Sequence, residues 1–158
     1  MSIKNGQLNQ ERREFLQRAG SLAVMGMFGI SFFTSCADDD PNPGNVITSP
    51  GNTEGIDING NTITINTDII TTLNNVGGWM LIVPAQTLVV NDGQVRALTS
   101  VCTHSQCDRS WNFGSNVFTC TCHGSRFNTT GQVLQGPANQ PLTQFGVQVS
   151  GNSIIITK

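Results

Sequence analysis

The stretch from Cys102 to Ser125 constrains this chain more than any other. It reads C-T-H-S-Q-C, then twelve residues, then C-T-C-H-G-S. Four of the five cysteines and both histidines of the 158-residue chain lie in it. Cys102 and His104 are two positions apart, so one tight loop can aim both at a single point. Cys120 and His123 are three apart and can do the same from a second loop. Two Cys–His pairs from two loops suit a two-metal cluster with a different ligand pair at each end. Cys107 and Cys122 are left over, one in each loop. Other chemistry fits part of the pattern. Two disulfides would use the cysteines but leave both histidines without a role. A Cys2His2 zinc site needs the same four donors, although zinc spacings usually pair like with like, as C-x2-4-C and H-x3-5-H. A structural surface lipoprotein stapled by zinc or disulfides, without a redox role, is the alternative class of function.

The pattern C-x-H-x2-C…C-x-C-H-G-S resembles the Rieske [2Fe–2S] family, in the branch whose two cluster loops are joined by a disulfide. In such a centre two histidines replace two cysteines on one iron and raise the potential. The resemblance implies that Cys102 and Cys120 hold one iron and His104 and His123 the other. It also implies a Cys107–Cys122 disulfide. Gly124 and Ser125 extend the match, with Ser125 expected to hydrogen-bond a cluster sulfur. High-potential members often carry a tyrosine two residues later, where this chain has Phe127, which cannot donate. Gly136-Pro137-Ala138 resembles the proline loop that covers the cluster in this family. Trp111, between the two loops, and Trp79 read as packing residues.

The first 35 residues read as an address rather than as part of the fold. Arg12 and Arg13 stand in a twin-arginine stretch, E-R-R-E-F-L-Q, and an apolar run follows from Ala19 to Phe33. That run is shorter than the roughly 20 residues of a transmembrane helix and fits the core of a Tat-type signal peptide. Phe33-Thr34-Ser35-Cys36 resembles a lipobox, which implies cleavage before Cys36 and lipid on its sulfur. Two or more acyl chains tether a protein stably where one does not. Residues 36–54, with Asp38-Asp39-Asp40 and Pro41-Asn42-Pro43-Gly44, read as a flexible acidic tether. The expected location is a bacterial membrane, facing the periplasm or the cell surface. Tat export suits the chemistry, because a cluster can be assembled on reduced thiols in the cytosol and a disulfide formed outside it.

From Gly55 to Lys158 the pattern is short, alternating strands. Ile56, Ile58, Ile63 and Ile65 flank Asn59-Gly60-Asn61, a hairpin signal. Apolar runs at Trp79–Val83 and Thr87–Val90, and the alternation of Phe145, Val147 and Val149, continue it. No amphipathic helix follows residue 36. The fold class is all-β, and the resemblance implies an antiparallel β-sandwich base with a small cluster-binding subdomain on two loops. Residues 36–158 carry four basic and eight acidic side chains, so no basic patch for nucleic acid is present.

The resemblance implies an electron carrier with no substrate chemistry of its own. The expected partner is a redox protein: a cytochrome, a quinol-oxidising subunit or a molybdenum subunit, as in cytochrome bc-like or arsenite-oxidase-like respiratory oxidoreductases. Quinol-oxidising members usually have Leu-Gly where this chain has Ser105-Gln106, which counts against a quinol substrate. With histidine ligands the midpoint potential lies within roughly −150 to +300 mV. With Phe127 in place of a hydroxyl donor, the middle of that window is expected; protein-film voltammetry on the soluble domain measures it, and a value at the upper limit contradicts the assignment.

Overall fold

Short runs of β-branched and aliphatic residues, cut by Gly-, Asn- and Asp-containing turns, make extended pairing the default here. The computed structural model describes residues 45–47 and 53–158. Its strands are β1 (Asn45–Ile47), β2 (Ile56–Asn59), β3 (Thr62–Asn66), β4 (Trp79–Ile82), β5 (Thr87–Asn91) and β6 (Val95–Thr99). They continue as β7 (Trp111–Gly114), β8 (Val117–Cys120), β9 (Ser125–Asn128), β10 (Val133–Gln135), β11 (Gln144–Ser150) and β12 (Ser153–Thr157). One sheet has the order β1-β4-β5-β6-β11-β12-β3-β2, and a second, smaller sheet has the order β10-β9-β8-β7. The helical residues among those described are two 3-10 turns, Thr71–Asn74 and Val83–Ala85. None is long and apolar enough to cross a membrane.

The central strands explain why the chain reads as continuous apolar runs at residues 79–82 and 87–90. Successive side chains of a strand point to opposite faces, and here both faces are covered. Trp79, Leu81, Leu88, Val90 and Leu98 pack on one side with Trp111, Phe113, Phe118 and Phe127 of the small sheet. Met80, Ile82, Val89 and Ala97 pack on the other with Ile56, Ile63, Ile65, Ile154 and Ile156, where the large sheet curls back on itself. Two cores therefore share β4, β5 and β6. The first core is aromatic. Phe118 is fully buried, and its ring lies 4.6 Å from Phe113, 6.1 Å from Trp79 and 6.4 Å from Trp111.

Two features depart from the expectations. The tether expected over residues 36–54 is interrupted, because Asn45–Ile47 forms an edge strand against β4. Val46 and Ile47 are apolar, and pairing satisfies backbone groups that the edge of β4 would otherwise expose. That pairing is parallel, in a base expected to be antiparallel throughout. The small subdomain that carries the cysteine loops has a sheet of its own, β7 to β10. The β7–β8 hairpin turns through Ser115 (φ 52°) and Asn116 (φ 60°), both left-handed, which matches a primed two-residue turn without its usual glycine. The twin-arginine pair Arg12–Arg13, the lipidation residue Cys36 and the rest of the tether lie outside the described residues.

Phe118 is the residue through which the two sheets are held. Its replacement by alanine is expected to cost about 3–5 kcal/mol, read by urea unfolding. Val76→Ala, at a position 73% exposed, is expected to leave the unfolding midpoint nearly unchanged.

Candidate metal centre

Both cysteine loops are closed by their own backbone. In the first, Cys102 N–H donates to Cys107 O at 2.9 Å and Gln106 N–H to Cys102 O at 2.8 Å. Gln106 adopts φ 58° to make that turn. The second loop is the β8–β9 hairpin, in which Cys120 and Ser125 are cross-strand partners. Gly124 N–H donates to Cys120 O at 2.9 Å, and Gly124 sits at φ 81°, a conformation that costs glycine little.

The two loops are fastened to each other. Cys107 and Cys122 form a disulfide with Cα atoms 6.7 Å apart. It spans a sequence separation of 15, a closure worth roughly 3 kcal/mol in the chain-entropy model. Thr121 N–H donates to Ser110 O at 2.8 Å and adds a second tie. Cys102 and Cys120 are the unbonded cysteines among the described residues, and both are buried. The sulfurs of Cys107, Cys120 and Cys122 lie within 4.8 Å of one another, but two of these are spent on the disulfide. The available thiol pair is therefore Cys102 with Cys120. Burial, reinforced by a hydrogen bond with the Cys102 thiol, pushes the Cys120 thiol from 9.0 up to about 11. A thiolate in such a place needs a cationic partner.

The histidines lie on the other side of the boundary. His104 and His123 are exposed, with ring centroids 4.8 Å apart and planes at 79°. Ser105 Oγ lies 3.4 Å from His123 Nδ1, a contact between the loops. The Gly136–Leu142 segment is pinned to both loops. Thr103 Oγ donates to Gln140 O at 2.7 Å from the first, and Ser125 Oγ accepts Ala138 N–H at 3.0 Å from the second. Ser125 is fully buried and spends an acceptor lone pair on that bond, so its O–H remains available to donate. Phe127 is fully buried against Trp111, 5.8 Å between rings, and offers carbon only. Gly136 and Pro137 are exposed beside the loops, while Ala138 is buried.

All the residues singled out between 102 and 137 are thus gathered at one end of the domain. The bonds that fasten this segment, Thr103 to Gln140 and Ala138 to Ser125, were not anticipated. Thr103 lies inside the C-T-H motif, but its bond is to a residue 37 positions away, and nothing local announces it.

Two buried thiols and two exposed imidazoles, on loops joined by a disulfide, make a candidate mixed cysteine–histidine metal centre on an all-β domain. The Rieske [2Fe-2S] domain model matches residues 49–146, and the chain belongs to that family. The cytochrome b6-f complex iron-sulfur subunit of Chlorobaculum thiosulfatiphilum is 40% identical over 72 residues, covering 45% of this chain and 40% of the relative. That of Prochlorococcus marinus (strain MIT 9303) is 34% identical over 77 residues, covering 48% and 43%. The chain thus spans about two fifths of the length of these curated relatives. Among solved structures, the cyanobacterial plasma membrane Rieske protein PetC3 from Synechocystis PCC 6803 is 40% identical, with 46% of this chain and 76% of that chain covered and a TM-score of 0.41. The ferredoxin of carbazole 1,9a-dioxygenase from Nocardioides aromaticivorans IC177 is 27% identical, covering 54% and 91%, with a TM-score of 0.46.

The donor set fits a [2Fe–2S] cluster: two thiols that need positive charge, two imidazoles within reach of each other, and a buried hydroxyl with a hydrogen to give. Without iron, the raised Cys120 thiol has a defined consequence. The folded state holds a proton there that the unfolded chain releases near pH 9. This contribution to stability is complete below pH 9 and is lost as pH rises toward 11. Urea unfolding of the iron-free protein is therefore expected to show falling stability over that interval, with the loss absent in Cys120→Ala.

Proposed function

We propose that this domain carries single electrons between a donor and an acceptor outside the cytosol, through a cluster held by Cys102 and Cys120 at one iron and His104 and His123 at the other. The observation that carries the reading is the split in burial, with both free thiols inside the core and both imidazoles at the surface. When bound, a [2Fe–2S] cluster supplies one-electron chemistry, and histidine at two of its four protein positions raises the potential. Cys102 and Cys120 would bind as thiolates, released from the protonated state that burial favours. His104 and His123 would bind through one ring nitrogen each and bring the exposed side of the centre to a docking partner. The disulfide and the pinned 136–142 loop keep water from the thiol side. Ser125 presents its O–H from within that dry region.

The relatives named as cytochrome b6-f complex subunits support a cytochrome-containing respiratory complex as the partner. Ser105 and Gln106 leave the tip polar, which supports exchange with a redox protein over insertion of the tip into an apolar quinol pocket. The domain would act as a subunit of that complex or as its donor or acceptor. The twin-arginine stretch and the lipobox-like residues before Cys36 support Tat export and a lipid anchor on a bacterial membrane.

Anaerobically purified protein is expected to be brown, to contain two irons and to give the EPR signal of a reduced [2Fe–2S] centre. Cys102→Ser, Cys120→Ser, His104→Ala and His123→Ala are each expected to lose that signal while keeping a β-type circular dichroism spectrum. Iron-free wild-type protein, or a fully loaded ligand variant, contradicts the proposal. Cys36→Ala is expected to move the exported protein from the membrane pellet to the soluble fraction; continued sedimentation removes the lipid anchor from the reading.

A further inference from the structure

Among the described residues the buried polar side chains are Thr87, Ser100 and Ser125. Two of the three are accounted for. Thr87 Oγ donates to Ala85 O at 2.7 Å, and Ser125 Oγ accepts Ala138 N–H at 3.0 Å. The Ser100 hydroxyl is fully enclosed and has no hydrogen-bond partner. Its backbone is committed, with N–H donating to Gln86 O at 2.8 Å and the carbonyl accepting Trp111 Nε1–H at 2.8 Å. A buried hydroxyl with no partner is destabilising, and native interiors retain few of them; where one persists, a ligand that completes it is a physical explanation.

The position of Ser100 says which ligand. It lies just after β6 and two residues before Cys102. Through Trp111 it is tied to the strand whose residue 111 is the cross-strand partner of Cys120. Cys102, Trp111 and Cys120 belong to one packed cluster with Leu98 and Phe127. Apart from its cysteines and the two indoles, that cluster is hydrocarbon, an indole N–H can only donate, and no sulfur is bonded to the Ser100 hydroxyl in this state. Cys102 and Cys120 contribute the sulfur acceptors there, weak as thiols and strong as thiolates.

We propose that the Ser100 hydroxyl is a hydrogen-bond donor reserved for the loaded centre, given to sulfur on the Cys102 side once the thiols have become thiolates. Ser100 is then a positioning and tuning residue, distinct from Ser125, which reaches the centre from the second loop. A donor to sulfur withdraws electron density from it and favours the more negative, reduced form, so the midpoint potential rises. The inference rests on the proposed ligand set.

The test compares wild-type protein, Ser100→Ala and Ser100→Gly, each loaded with iron. The expected result is a lower midpoint potential in both variants by protein-film voltammetry. One exchangeable-proton coupling is also expected to vanish from the proton ENDOR spectrum of the reduced protein, judged by exchange into D2O. Iron content of Ser100→Ala should match wild type, and the iron-free variant should unfold thermally at or above the iron-free wild type, because in that state the buried hydroxyl it removes has no partner. Loaded variants with unaltered potential and unaltered couplings overturn the inference, and Ser100 is then an orphan that the core tolerates. Wild-type protein that takes up no iron contradicts the ligand set instead, so the two failures are told apart.

Discussion

The structure depends on the packing of two sheets across one aromatic core. Phe118 and its neighbours Trp79, Trp111 and Phe113 fill the space between β4–β6 and the small sheet. Burial of aromatic side chains supplies both area and preferred ring geometry, and it fixes where β7, β8 and β9 run. The second cysteine loop is the turn between two of those strands, and the first leaves the end of β6. Their meeting is therefore set by the core beneath them. The disulfide then holds together two loops that packing has already placed.

That arrangement divides the four proposed donors by environment. Cys102 and Cys120 are at the top of the core, where an anionic thiolate is unfavourable until a metal compensates it. His104 and His123 are outside it, where a partner can touch them. Buried sulfur and exposed imidazole give the centre an inner and an outer side without any additional domain. Covering the inner side falls to the 136–142 segment, pinned from one loop by Thr103 and from the other by Ser125. Those two bonds connect residues 37 and 13 positions apart, so the cover and both loops form one unit.

The tip chemistry has a different origin. Ser105 and Gln106 are exposed and make the tip polar, and Gln106 adopts the left-handed conformation that the turn demands. Strand ends and the disulfide hold the two loops, while the residues at their tip, His104, Ser105, Gln106 and His123, are exposed.

Much of this could be read from the chain alone. The placement of both histidines beside cysteines marked out residues 102–125 as the site, because metal chemistry is carried by few residue types. The isoleucine alternation around Gly60 identified β2 and β3, because period-two burial writes itself directly into sequence. The β7–β8 hairpin was silent, since Ser115 and Asn116 make a primed turn without glycine, and the apolar runs of β4 and β5 did not say that two separate cores claim their alternate residues. Asn45–Ile47 gave no local sign of pairing with a strand 35 positions on. The sequence by itself determined the chemistry, because thiols and imidazoles cannot be replaced by shape. Which cysteines are buried, which loop covers them and which hydroxyl is left without a partner were decided only by the tertiary structure, because these depend on contacts between segments far apart in the chain.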